Sequence, residues 1–319
     1  MRGDLGQLRF HFGERDRDGD GPLEAAVMDA CARHGVRAAA LMRGAEGFGA
    51  KHHLRTDRLL SLSEDAPLVA VAVGEAGPIE ALADEVREMA GEGLMALETV
   101  GAPGDGAGSD RVKATVWGPR TGPTSPHLEA VAALKRHGAE FATVLLGVDG
   151  VLEGERRRAK FVASNRGVPA MTVGIGTRAA IDAAVAEVDG AAHLVTFEPV
   201  VTSRRIATVS LQGAEATRVA LVTSEVASCG SQPSYLEFIR RLRREGAAGA
   251  TAQRGVWGFR GEGEPGGDRV LALRRDVPMV VEVVDAPERA ARWLELAQEV
   301  ARDGDVVYAQ EVRETIALA

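Results

Sequence analysis

The sequence predicts an α+β protein made of three tandem β-α-β-β-α-β modules, and two observations carry that reading. The first is internal repetition. His34-Gly35, His137-Gly138 and Glu245-Gly246 each end an amphipathic stretch, and Pro67, Pro169 and Pro278 each open an apolar run about thirty residues later. Copies about a hundred residues apart exceed solenoid periods and indicate whole domains. The second is periodicity, which switches in the same order within each copy between the two-residue repeat of a strand and the 3.6-residue repeat of a helix. The boundaries fall at 1–103, 108–203 and 214–319, with linkers at 101–110 and 202–218.

Each element of the first copy has a local cause. Leu8, Phe10 and Phe12 alternate with Arg9 and His11 as a half-buried strand. Pro22 stands at a helix start, and Leu23, Ala26, Val27, Ala30 and Cys31 line one face of the helix that follows. Gly35 is placed to close it with a left-handed cap. Val36 to Met42 reads as a second strand, Gly44 to Asp65 as a long glycine-bearing loop, and Leu68 to Val73 as a third strand. Ile79, Leu82, Ala83, Val86 and Ala90 mark a second helix, and Leu94 to Val100 a fourth strand.

The later copies follow suit. Leu128, Val131 and Ala132, then Tyr235, Phe238, Ile239 and Leu242, mark first helices. Ile181, Ala184, Val185 and Val188, then Ala290, Trp293, Leu294, Ala297 and Val300, mark second helices. Ile206 to Leu211 reads as an extra edge strand.

This order is that of the ferredoxin-like split βαβ unit, whose right-handed crossovers put both helices on one face of the sheet. A solvated opposite face would alternate apolar with polar residues. Leu68-Val69-Ala70-Val71-Ala72-Val73 does not alternate, and Val280 to Val284 barely does. The bare faces are therefore expected to meet at a common dry centre, with helices outside, so that one chain forms a pseudo-trimer.

Composition narrows the function. The chain has 319 residues, 45% of them hydrophobic, with a net charge of −8. An acidic surface argues against nonspecific binding to nucleic acid or anionic membrane. The start Met1-Arg2-Gly3-Asp4 offers no apolar leader, and the two cysteines make no disulfide framework, so a cytoplasmic protein is expected. Cys31 falls on a core face, and Cys229 in a loop-like stretch.

Three motifs carry a resemblance. Gly13-Glu14-Arg15-Asp16, Arg43-Gly44-Ala45-Glu46-Gly47-Phe48-Gly49 and Leu62-Ser63-Glu64-Asp65-Ala66-Pro67 resemble the PII-like family called domain of unknown function 190. The third copy matches more loosely through Arg254-Gly255-Val256-Trp257-Gly258-Phe259 and Asp276-Val277-Pro278. The second is degenerate, keeping only Leu146-Gly147-Val148-Asp149-Gly150 and Gly167-Val168-Pro169. The resemblance implies a kinship with PII nitrogen-signalling proteins, normally homotrimers. Those relatives bind adenine nucleotides in clefts between subunits and touch a target, often a transporter or enzyme, through the long loop. Some family members are associated with fluoride-channel genes, which points to a membrane target.

The loop from Arg43 to Asp65 is the candidate binding element. Gly44, Gly47 and Gly49 permit positive φ and an anion nest, and Arg43, Lys51, His52, His53 and Arg55 supply cationic donors. In a nucleotide cleft Arg43 would pair with phosphate and Glu46 accept from ribose. From the residues alone, a turn with solvated charges stays open beside that reading, and no Walker ending is present. Arg254, Gly255 and Gly258 repeat the pattern, so a second cleft is expected.

Adjacent His52 and His53 do not make a metal site at recognised ligand spacing. His11 reads as a structural or inter-repeat hydrogen-bonding residue, and Arg156-Arg157-Arg158 as a solvated surface. Glu98, Glu198 and Glu311 close each copy and are expected to pair with a basic residue across a repeat boundary. No nucleophile with a base appears at motif level, so the expectation is a noncatalytic sensor with no cofactor. Its ligand would be a small anionic metabolite, an adenine nucleotide by the resemblance, bound between repeats. The alternative is a ligand-independent interaction module docking on a transporter or channel. Fusion lets each cleft diverge, so fewer than three equivalent sites are expected.

Overall fold

The computed structural model describes residues 5–49, 54–56, 65–103, 110–121, 125–160, 165–188, 190–202, 214–267 and 276–318. It is a mixed α/β structure with six helices among these residues, packed on antiparallel sheets.

The first segment runs β1 (Leu5–Gly13), α1 (Leu23–Arg33), β2 (Ala38–Arg43), a hairpin of β3 (Glu46–Phe48) and β4 (Leu54–Thr56), β5 (Pro67–Glu75), α2 (Ala76–Met89) and β6 (Gly93–Val100). The second has β7 (Arg111–Pro119), α3 (Pro126–Arg136), β8 (Phe141–Leu146), a hairpin of β9 (Asp149–Leu152) and β10 (Glu155–Arg156), β11 (Pro169–Thr177), α4 (Arg178–Val188), β12 (Leu194–Pro199) and β13 (Val201–Thr202). The third has β14 (Ala216–Ser224), α5 (Ser234–Arg244), β15 (Ala250–Arg254), a hairpin of β16 (Trp257–Arg260) and β17 (Gly266–Gly267), β18 (Pro278–Asp285), α6 (Pro287–Val300), β19 (Val306–Val312) and β20 (Glu314–Leu318).

Within each segment the four main strands lie in one order: β6-β1-β5-β2, β12-β7-β11-β8 and β19-β14-β18-β15. Gly35, Gly138 and Gly246 follow the three first helices at φ +62°, +80° and +80°, a left-handed turn that glycine enters without steric cost.

The third strand of the first segment is apolar from Leu68 to Val73 because both its faces are covered, and those of the other two carry only the buried Thr172 and Glu282 among their covered residues. Leu68, Ala70 and Ala72 of β5 face the helices, while Val69, Val71 and Val73 face a second cluster with Trp117, Leu145 and Met171 of the second segment. Val280 of β18 likewise packs with Phe141 and Ile175 of the second segment.

The long loop of the first segment was expected to be irregular. Instead it contains β3 and β4, and β3 leaves its own sheet to pair with β15 of the third segment. The same departure occurs twice more: β9 pairs with β2 of the first segment, and β16 with β8 of the second. The strand following each fourth strand goes to the other neighbour. β20 pairs with β6, β13 with β19, and Gly101 bridges Phe197 of β12. Every segment thus lends one piece to each of the other two, and the ring closes. The pairing also covers strand edges that would otherwise present open hydrogen-bonding groups.

Each lent hairpin carries an apolar anchor into the receiving core. Phe48 enters the third segment's core beside Tyr235 and Phe238, Val151 the first's, and Phe259 the second's.

Two expectations are corrected here. The buried face of α3 runs through His127, Ala130, Val131, Ala133 and Leu134, leaving Ala132 exposed and Leu128 half-buried. A polar residue can hold a core position there because His127 Nδ1 lies 2.9 Å from Thr172 Oγ1, and Nε2 lies 3.2 Å from the Gly118 carbonyl. The centre between the sheets is also not dry: apolar clusters flank it, but a buried polar network occupies it. Cys31 is core as expected, with burial pushing its thiol up to about 12, and Cys229 is half-buried in a small hairpin. Ile206 to Leu211 lies outside the described residues.

Candidate functional site

The glycines of the Arg-Gly-x-x-Gly-Phe motif have a geometric role unlike the one expected. None of Gly44, Gly47, Gly49, Gly255 and Gly258 has positive φ, so they form no left-handed anion nest. Gly44 and Gly255 donate their N–H groups to the carbonyls of Pro67 and Pro278 at 2.7 and 2.8 Å. Gly47 and Gly258 lie against the receiving strand, where a Cβ would stand 2.7 Å from the Ala250 carbonyl oxygen and 2.1 Å from that of Ala142. Gly150 is placed alike, 2.2 Å from the Ala39 oxygen. Close strand crossing, not chain reversal, demands glycine there.

At the base of the first hairpin the motifs do converge. The Asp16 carboxylate accepts the Gly13 N–H at 2.7 Å, Asp65 accepts the Arg15 N–H at 3.1 Å, and the Glu14 N–H donates to the Ala66 carbonyl at 3.0 Å. Arg43, at the exposed end of β2, donates to Glu14 at 2.6 Å. Arg55 of β4 reaches within 3.2 Å of Asp65 and 3.7 Å of Asp16. Its guanidinium lies so close to Gly13 that a Cβ there would be 1.6 Å from Nη1. Burial, with the charges of Asp65 and Glu92, raises the Asp16 carboxyl above its ordinary range against the pull of the Gly13 N–H and Arg55.

Glu46 is buried on β3, opposite Ala252 of the third segment, rather than open to a ribose. Gly49 follows β3, and Lys51, His52 and His53 lie outside the described residues.

The third segment repeats the base. Arg254 donates to Glu225 at 2.6 Å, the Ser224 hydroxyl donates to Asp276, and Arg260 pairs with Asp305 and approaches Asp276 at 3.9 Å. In the second segment the matching backbone bond, Arg120 N–H to the Val168 carbonyl at 2.8 Å, survives without those charges. Arg120, Leu146 and Gly167 stand where Glu14, Arg43 and Asp65 stand in the first.

Arg156 is not a solvated surface residue. Its Nε and Nη2 donate to the buried Asp149 at 3.2 and 2.6 Å, and its Nη1 to the Ala25 carbonyl at 3.3 Å and to Asp29 of α1. Arg158 reaches Glu24 of the same helix, and Arg157 is exposed.

The buried network on the axis draws on all three segments. Gln7, Lys113 and Arg218 hold one position of the first strands, and Glu98, Glu198 and Gln310 face them from the fourth. Arg218 Nη1 lies 2.8 Å from Glu98 across a segment boundary, and Lys113 lies 2.9 Å from Glu198 within its own segment. Gln310 donates to both carboxylates, at 3.1 and 2.9 Å. Glu311 is exposed instead of closing the set, because alternation along β19 turns Gln310 inward.

One layer on, Arg9 donates to Glu282 at 3.1 Å. Burial opposes ionisation of Glu282, but Arg9, Arg218 and Lys113 outweigh it and hold the carboxyl down at about 2. Burial, then Arg9, lowers His11 to about 3; its Nδ1 lies 3.3 Å from Thr251 Oγ1 of the third segment, the inter-repeat contact expected of it. A cavity of about 20 Å³ beside Gln7, Arg9, Lys113, Glu282 and Tyr308 has room for roughly one water. The axis was missed in sequence. Its signal is a polar residue at the same place in each apolar first strand.

Among the described residues no cluster of three or more His, Cys, Asp or Glu side chains could hold a metal ion. No helix among them is long and apolar enough to cross a membrane.

The family model of domain of unknown function 190, described as an uncharacterized ACR, matches residues 5–102 and 216–313, well over half the chain. The second segment lies outside both matches. A UPF0166 protein of Aquifex aeolicus (strain VF5) is 33% identical over 75 residues, covering 24% of this chain and 71% of that protein.

Proposed function

Since the chain belongs to the family of domain of unknown function 190, we propose that it is a noncatalytic, cytoplasmic regulatory protein of PII-like design. In this reading the segments 1–103, 108–203 and 214–319 are three ferredoxin-like domains that together replace a homotrimer. A small anionic metabolite, an adenine nucleotide by kinship with PII proteins, binds at the segment borders. Binding alters the hairpin after the second strand and so its surface for a partner, a transporter or channel. Arg43, Gly44, Glu46, Gly47 and Gly49 belong to one such border, and Arg254, Gly255 and Gly258 to a second.

The observation that supports this best is the charged base beneath a lent hairpin. Arg43, Arg55, Glu14, Asp16 and Asp65 meet where the first segment passes onto the third. A guanidinium on an exposed strand end can exchange an internal carboxylate for a phosphate. Thermal-shift titration with ATP, ADP and AMP tests the reading. Stabilisation of the wild type that Arg43→Ala diminishes supports it, and no shift with any nucleotide sinks it.

A second reading, a ligand-independent docking module, is favoured by the internal pairing of Arg43 with Glu14 and Arg254 with Glu225. It expects a partner to copurify through the hairpins whether or not nucleotide is present.

A further inference from the structure

The three borders are a comparison built into one chain, because the same positions can be read three times in one fold. The backbone bond that fixes the base recurs at all three, from Glu14, Arg120 and Glu225 to the carbonyls of Ala66, Val168 and Val277. The last residue of the second strand lies one place beyond the proline of the third strand in each register: Arg43 opposite Leu68, Leu146 opposite Ala170, Arg254 opposite Met279. The scaffold is therefore the same at the three bases, and only the chemistry differs.

At the first and third bases an arginine on the second strand faces a glutamate on the turn after the first strand, with an aspartate two residues before the proline. At the second base arginine has become Leu146, glutamate has become Arg120, and aspartate has become Gly167. The guanidinium at that base, Arg120, stands on the turn in the glutamate's place, and the second strand offers none to face it. The hairpin above that base is instead fastened: Arg156 ties the buried Asp149 to Asp29 and the Ala25 carbonyl of α1, and Arg158 adds Glu24.

We infer that the chain carries two anion sites rather than three, at the bases of the first and third hairpins, and that the second border is a permanent fastener. The inference rests on the regulatory reading above and fixes its stoichiometry. The two sites are also unequal. Each base holds a second arginine from its hairpin, Arg55 beside Asp16 and Asp65 and Arg260 beside Asp276 and Asp305, but of these two hairpins only the third bears two glutamates, Glu262 and Glu264, at its turn. The acidic turn disfavours the third site for a phosphate-bearing ligand and leaves the first the tighter. In both sites the resident glutamate competes with the ligand for its arginine.

Calorimetry with ATP on the full chain tests this. Two sites of unequal affinity are expected. Arg43→Ala weakens the tighter at least tenfold, and Arg254→Ala the weaker. Glu14→Gln tightens the first site by removing its competitor. Arg156→Ala leaves two sites. Three sites, one site, two equal sites, or a site lost in Arg156→Ala would overturn the inference while leaving the regulatory reading intact. Absence of heat with wild type and Glu14→Gln alike would take both down. Arg43 is half-exposed, and an unchanged circular dichroism melt would show that its variant folds.

Discussion

Replacing Phe48 with alanine should damage a part of the protein about two hundred residues away in sequence. Phe48 belongs to the first segment, yet its ring is 4% exposed within the core of the third, against Tyr235, Phe238 and Ile239. Truncating a buried phenylalanine costs about 3–5 kcal/mol, the transfer of the ring plus the cavity it leaves. At roughly 1.5 °C per kcal/mol for 319 residues unfolding together, the midpoint should fall by about 5–8 °C. The informative readout is its location. Hydrogen exchange should quicken in α5 (Ser234–Arg244) and β15 (Ala250–Arg254), which receive the hairpin, more than in α1 or α2. Val151→Ala should do the same to α1 at about 2 kcal/mol. If Phe48→Ala loosened the first segment alone, or cost less than about 1 kcal/mol, the exchange of hairpins would be wrong.

Further outcomes follow from the same geometry. Gly258→Ala puts a methyl 2.1 Å from the Ala142 carbonyl oxygen, so the strands must part; a loss of about 3 kcal/mol in urea unfolding is expected. Arg218→Met leaves Glu98 buried without its cation and should cost about 3–5 kcal/mol, whereas adding Glu98→Leu should recover only part of it, because Gln7 and Gln310 lose the carboxylate they donate to. Acid should destabilise the chain in two stages. His11 is held neutral by a depressed pKa, so the unfolded state binds its proton first, and stability falls below pH 6.5 down to about 3 at up to ~1.4 kcal/mol per pH unit. Glu282 stabilises above its unfolded pKa of about 4.3 and loses this as pH falls toward 2; His11→Gln should flatten the upper stage only.

The element order was legible because each helix and strand advertises itself locally. Gly35, Gly138 and Gly246 stop helices, and prolines 67, 169 and 278 open buried strands. The unbroken apolar run from Leu68 to Val73 also announced that both faces of that sheet are covered. Which segment receives Gly47 and Phe48 could not be read, because a glycine needed for close approach and one needed for positive φ look alike in sequence. The axis stayed hidden for a related reason. Gln7, Lys113 and Arg218 each look like an ordinary polar residue on a half-exposed strand until three sheets bring them together. The one-residue offset between Glu198 and Glu311 shows that matching letters is a weaker guide than register, which turned Gln310 inward instead.

The proposed replacement of a homotrimer by one chain accounts for the chemistry of the axis. Three identical chains would set three identical charges around it, whereas here Gln7 and Gln310 replace one cation and one carboxylate of the ring. The remaining Lys113, Arg218, Glu98 and Glu198 balance. Buried charges without partners are costly, and unequal copies let the two cations and two carboxylates be matched in number.

Closure of the three segments into a single ring is tested most directly by small-angle scattering of the monomeric peak from a sizing column. A compact chain of 319 residues should have a radius of gyration of about 20 Å. A value near 30 Å for the same monomer, as for three domains in a row, would contradict the ring and the borders that depend on it.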